Sequence, residues 1–264
     1  MNMMNITIVG HGHLAYITAA CMEQFHKVNV DETDIEKLQA SKIVWICYDT
    51  PVDADGKPSS QVVVDRLNYI LPNASEGTIV LVSSQIPVGT CRELSYAFPK
   101  LRIACSPENL RRGKAINDFM NPDRIIVGLD GSALTHAKDR ENCGITSIET
   151  LFAPLNKPVI FVGLESAEMI KHAINSFLAL SIAFINEISD VCDSTHADKN
   201  EVAMGLQSDK RIGPLSYLKP GGPYTNDTLG REIHTLIELD KKFNLGLNLI
   251  PSIKKSNDEH RNNW

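Results

Sequence analysis

The sequence predicts an α/β protein, a Rossmann-like and mostly parallel sheet followed by an all-helical segment built on one long central helix. Three observations predict it. A short β-branched strand, Asn5 to Val9, runs into Gly10-His11-Gly12-His13-Leu14-Ala15, which has the form G-x-G-x-x-A. Strand-like apolar runs then recur as far as Val162, with helix-like or turn segments between them. From 165 to about 193 the chain is apolar and helical in pattern without a break. The division falls after residue 163, giving a sheet unit over 1–163 and a helical unit over 164–264.

In the glycine segment each position has a task. Gly10 permits a tight turn, Gly12 lets backbone amides such as those of His13 and Leu14 approach a pyrophosphate at the positive end of a helix, and Ala15 lets that helix pack on the sheet. The helix is expected through about Gln24, and a second strand over Lys27 to Val30 ends at Asp31. Asp31 lies 21 positions after Gly10, the offset of a ribose-binding carboxylate, and an acid there favours NAD over NADP. His11 and His13 lack a nearby third ligand, so no metal is expected. A short helix over Thr33–Ala40 precedes further strands at Lys42–Tyr48, Thr78–Ser83, Leu101–Cys105, Arg124–Val127 and Val159–Val162. Ligands of such sheets bind beyond the carboxyl ends of the strands. Those ends carry Asp49-Thr50-Pro51, Ser83-Ser84-Gln85 and Ser106-Pro107-Glu108.

The long helix carries Lys171 and Asn175 one turn apart on one face. A helix apolar nearly all round is a buried one. A lysine there either snorkels to the surface or serves as a proton shuttle with a depressed pKa. A short helix is expected near Ala197–Leu206, an ordered loop over Ser208–Gly230, a helix capped by Asp227 or Thr228 and running to about Phe243, a last helix near Leu247–Asn257 and a polar tail to Trp264.

Composition narrows the function classes. With 43% hydrophobic and 22% charged residues among 264, the chain reads as a soluble globular protein. A net charge of −6 disfavours nucleic acid as a partner. The six cysteines form no C-x-x-C pair, which argues against a zinc site or a disulfide framework. No apolar stretch is expected to span a bilayer, and the N-terminus lacks a signal-peptide layout, so a cytoplasmic protein without a membrane partner is expected.

Several segments together resemble the UDP-glucose/GDP-mannose dehydrogenase family: VGHGHLAYITAA (9–20), SSQIPVGT (83–90), SPENLRRGKAINDFMNPDRIIVG (106–128), ESAEMIKHAINSFLALSIAFINEI (165–188) and SDKRIG (208–213). The resemblance implies a first domain that binds NAD, with Thr50, Pro51 and Ser84 at the cofactor, and a long central helix that builds a homodimer through 165–193. It implies that Lys171 stabilises or shuttles charge on a reacting oxygen of a sugar-like substrate, that Asn175 hydrogen-bonds that oxygen, and that Glu108 sits at a glutamate of the family's PEFLxEG motif. Its GGxCxxKD motif falls on 226–232, so the family's cysteine becomes Thr228, its lysine Arg231 and its aspartate Glu232. The second glutamate of PEFLxEG becomes Arg112. Between Asp31 and Lys42 the family carries a longer stretch, so the sheet is trimmed on its adenine side.

Without the thiol, the resemblance implies one hydride transfer instead of full oxidation to a carboxylate. A β-hydroxyacid dehydrogenase type of reaction also suits a lysine and an asparagine one turn apart, with Arg112, Arg211 or Arg231 holding a substrate carboxylate. A third alternative is a non-catalytic dimeric relic of the family.

Overall fold

The computed structural model describes residues 3–50, 61–108, 110, 111, 113–130, 144–225 and 229–264. Among them a seven-stranded sheet has the order β2-β1-β3-β4-β5-β6-β7. Its strands are β1 (Asn5–Val9), β2 (Lys27–Asn29), β3 (Ile43–Ile46), β4 (Ile79–Val82), β5 (Arg102–Cys105), β6 (Ile125–Leu129) and β7 (Val159–Gly163). All pair in parallel except β5 and β6, which meet antiparallel where Cys105 faces Gly128. Only β2, three residues long, lies outside β1. A full dinucleotide sheet places two strands there, so the adenine side is trimmed as the sequence implies.

The central strands are IVWI and IVLV, buried at every position, as parallel strands covered on both faces must be. Alternate side chains supply two cores. Ile43, Trp45, Ile79 and Leu81 join the cluster under α1 (His13–Met22) and α6 (Ile145–Phe152). Val44, Ile46, Val80 and Val82 join the one under α3 (Gln61–Ile70) and α4 (Thr90–Ala97). The remaining helices of the sheet unit are α2 (Ile35–Ala40), whose N-cap Asp34 accepts from the Lys37 N–H, and α5 (Ala115–Met120).

The chain forms two compact units, one containing the sheet and ending at Lys171, the other His172–Trp264. Helix α7 (Leu164–Thr195) contributes to both and is followed by α8 (Lys199–Ser208), α9 (Arg231–Phe243) and α10 (Leu249–Asn263). In the second unit Ala179 and Ala183 of α7 pack with Tyr224, Ile233 and Ile253.

Three expectations are corrected. Helix α7 is not buried all round, because Phe177, Phe184 and Val191 stand exposed along it at heptad spacing. By length and composition it could cross a membrane, contrary to the sequence reading. Within it, Glu168 is buried and accepts from the backbone N–H groups of Gly89 (2.6 Å) and Cys91 (2.9 Å). The polar tail, finally, is helical. Lys254–Asp258 and Lys255–Glu259 pair across single turns of α10. Asn257 brackets Tyr224 by accepting from its N–H (2.9 Å) and donating to its C=O (3.2 Å). Arg261 donates to the same carbonyl and His260 bonds the Gly221 carbonyl, so α10 pins the loop at 221–224.

Candidate cofactor and catalytic site

The glycine turn is built as the spacing predicts. Gly10 (φ 141°) lies so flat on the chain leaving β3 that a Cβ there would meet the Cys47 carbonyl at 2.6 Å and the Tyr48 nitrogen at 2.8 Å. Gly12 (φ 102°) opens α1, and a Cβ there would overlap the carboxylate of Asp49. That carboxylate occupies the helix N-terminus. It accepts from the His13 N–H (2.9 Å) and the Leu14 N–H (3.3 Å). The expected pair of donors therefore converges on an anion, with the chain's own side chain standing in for a phosphate. A pyrophosphate fits these donors once Asp49, an exposed residue, swings away.

Beyond β2, Asp31 is exposed and accepts from the backbone N–H and hydroxyl of Thr33 (3.0 and 2.6 Å), which holds its carboxyl below the usual range. Its neighbour Glu32 is buried. Its carboxylate receives the Tyr48 hydroxyl (2.6 Å) and two nitrogens of Arg66, and the His11 ring lies 3.8 Å away. Burial, together with donation to Glu32, raises the Tyr48 phenol well above its ordinary value. Sequence reasoning missed this cluster at the carboxyl ends of β1, β2 and β3. Only the adjacency of Glu32 to Asp31 signalled it.

Ser84 is buried and its hydroxyl accepts from the Tyr48 N–H (2.7 Å), while Thr50 donates to the Gln85 carbonyl (2.7 Å). Both hold the loops after β3 and β4 against each other. After β5, Glu108 meets Lys171, whose ammonium donates to the Glu108 backbone carbonyl. Glu108 is half-buried as a residue, yet burial pushes its carboxyl up to about 7, with Lys171 pulling it down and Asp118 adding to the rise. Lys171 is itself half-buried and does not snorkel into solvent. Asn175 follows one turn along α7 and is also half-buried.

The raised Glu108 pKa has a sign that can be checked. Between about pH 4.5 and 7 the folded state holds a proton that the unfolded state has released, so this residue lowers stability progressively as pH rises through that window. Glu108→Gln is expected to match the parent below the window and to exceed it by up to about 3 kcal/mol at pH 8. Denaturant unfolding at pH 4.5 and pH 8 measures the difference.

In the second unit Glu232 is fully buried and accepts from His172 Nδ1 at 2.5 Å, with Arg231 Nε 3.3 Å from its other oxygen. Both oxygens of Glu232 are thus engaged. Arg211 is exposed and forms a two-bond pair with Asp209. Pro51, Arg112 and Thr228 lie outside the described residues. Among the described residues no group of three or more His, Cys, Asp or Glu could hold a metal. A cleft of about 500 Å³ lined by Glu149, Phe152 and Lys157 contains none of the site residues.

Residues 29–140 match the NAD binding domain of the UDP-glucose/GDP-mannose dehydrogenase family, and residues 165–259 match its central domain. The UDP-glucose 6-dehydrogenase YwqF of Bacillus subtilis is 32% identical over an alignment of 238 residues that covers 87% of this chain and 52% of that protein. The chain spans about half the length of several curated relatives it matches. A UDP-glucose dehydrogenase structure from Pyrobaculum islandicum superposes with a TM-score of 0.81 at 21% identity, covering 98% of this chain and 68% of that one. The 3-hydroxyisobutyrate dehydrogenase of Mycobacterium tuberculosis gives a TM-score of 0.71 at 14% identity over 98% and 96% of the two chains. These two structures establish the fold. The glycine turn, the parallel sheet and the two matched domains together make the chain a member of the UDP-glucose/GDP-mannose dehydrogenase family, whose cofactor is NAD.

Proposed function

We propose that this protein is an NAD-dependent dehydrogenase that oxidises a hydroxyl group of a nucleotide-sugar or a related small molecule by a single hydride transfer. The observation that carries the reading is the Lys171–Glu108 pair, an ammonium held at the loop after β5 beside a carboxyl that titrates near neutrality. NAD supplies the hydride acceptor when bound. Glu108, at about 7, can take the hydroxyl proton at neutral pH. Lys171 Nζ steadies the negative charge that grows on the same oxygen, and Asn175 donates a hydrogen bond to it. The alcohol loses one hydride and one proton, and a carbonyl product remains.

Thr228 stands where the family places its cysteine. A threonine hydroxyl is a poor nucleophile at neutral pH, so the product is not captured covalently and oxidation stops at the aldehyde or ketone. Glu232, a catalytic candidate in place of the family's aspartate, is bonded by His172 and Arg231. Anionic groups of the substrate fall to Arg112, Arg211 or Arg231, of which Arg211 must give up its bond to Asp209. On the cofactor side, Gly10, Gly12, His13 and Leu14 take the pyrophosphate, Asp31 the ribose, and Thr50, Pro51 and Ser84 shape the loops. The cofactor unit is assigned to 1–163 and the substrate and dimer unit to 164–264. The described cysteines are buried and unpaired, which suits a reducing, cytoplasmic setting.

Incubating the purified protein with NAD and a panel of UDP-sugars and free hydroxyacids, while following absorbance of the reduced cofactor, tests the reading. One reduced cofactor per substrate molecule and a carbonyl product are expected. A carboxylate product would defeat the single-transfer reading, and turnover of hydroxyacids alone would move the substrate class.

Phe177, Phe184 and Val191, exposed at heptad spacing on α7, support a homodimer through that helix, since such a seam suits packing against a second helix. The double substitution Phe177→Lys with Phe184→Lys is expected to convert a dimer to a monomer in sedimentation equilibrium. An unchanged mass would reject this interface.

A further inference from the structure

Asp49 leaves the end of β3 and its carboxylate bonds both N–H groups that open α1, His13 (2.9 Å) and Leu14 (3.3 Å). Its approach is possible only because Gly12 has no side chain. Helix α1 has no acid of its own in its first turn and no side-chain N-cap, so Asp49 supplies the negative charge that the helix end attracts. A dinucleotide pyrophosphate would need the same two donors and would bring its own charge to the same point. One donor pair cannot serve two anions, and like charges at that separation repel. Asp49 is exposed and can leave, but each binding event then forfeits two charge-assisted bonds already made.

We propose that Asp49 sets the affinity of this protein for NAD by acting as a resident competitor at the pyrophosphate position. The proposal rests on reading the glycine turn as the NAD site. The cofactor therefore competes with Asp49 directly, and weakening the competitor strengthens the cofactor.

The test is calorimetric titration of the 264-residue protein with NAD, alongside Asp49→Ala and the isosteric, neutral Asp49→Asn, with melting curves for all three. Asp49→Ala is expected to bind NAD more tightly by on the order of tenfold, with Asp49→Asn between it and the parent. Without NAD, Asp49→Ala is expected to melt lower, since α1 loses its cap, and to gain more than the parent when NAD is added. Equal or weaker NAD binding by both variants would show that Asp49 is only a helix cap and would overturn the proposal while leaving the NAD site intact. Absence of NAD binding by all three proteins at millimolar concentration would overturn the NAD reading of the turn, and the proposal with it.

Discussion

Lys171→Ala is expected to lower kcat for NAD reduction by about 10²- to 10⁴-fold while changing NAD affinity by less than about twofold. The ammonium is fixed by the Glu108 backbone carbonyl, so it is placed before substrate arrives and needs no reorganisation to meet developing charge. Removing it withdraws a charge that matters most in the transition state. The glycine turn proposed for the cofactor is made from other residues, Gly10 to Leu14, which is why the two measurements should separate. The loss should also alter the pH profile. In the parent, activity should rise through about pH 7 as Glu108 releases its proton to become a base. Without the Lys171 charge, which holds the Glu108 pKa down, that rise should move to higher pH. Initial rates across pH 5.5 to 9 with calorimetry on the same preparation decide it. Undiminished turnover would reduce Lys171 to a structural lysine.

Glu232→Ala is expected to destabilise the protein by about 3–5 kcal/mol, the usual penalty for removing one member of a buried ion pair. The carboxylate has no exposed surface and receives His172 Nδ1 at 2.5 Å, with Arg231 Nε on its other oxygen. Truncation leaves a buried imidazole without its acceptor and opens a void beside Ile233, which is itself fully buried. The penalty belongs mostly to the stranded partner. The double change Glu232→Met with His172→Leu should therefore recover part of the stability, because the imidazole is no longer stranded while Arg231 still loses its acceptor. Urea unfolding of the three variants measures this. A loss below about 1 kcal/mol for Glu232→Ala would mean that water reaches His172 and that the pair is not a structural tie.

The parallel sheet was legible because β3 and β4 are runs of β-branched and apolar residues with no polar interruption, and because each is followed by a polar loop. The glycine turn was legible from local spacing, since both glycines are required by contacts within one strand–turn–helix unit and its neighbouring strand. What escaped depends on pairs remote in the chain. Asp49 acts on amides 35 and 36 residues before it. Glu32 is bonded by Arg66, 34 residues on, and no local pattern separates it from Asp31 beside it. Helix α10 extends through a stretch that reads as a solvated tail, because its polar side chains Asn257, His260 and Arg261 bond backbone groups of a loop more than thirty residues earlier. The exposed phenylalanines of α7 were misread for the opposite reason. Apolarity all round a helix signals cover, and a single chain does not provide it on every face. At the candidate site, Lys171 was legible from its place on an apolar helix and Glu108 from its place in a polar loop after a strand, the family motifs adding their roles, and the two residues are in contact.

In a crystal of the protein soaked with NAD, the pyrophosphate is expected on the His13 and Leu14 N–H groups, with the Asp49 side chain displaced and the nicotinamide turned toward Lys171. Density for Asp49 still on those two amides at saturating NAD, or a nicotinamide facing away from Lys171, would contradict that placement.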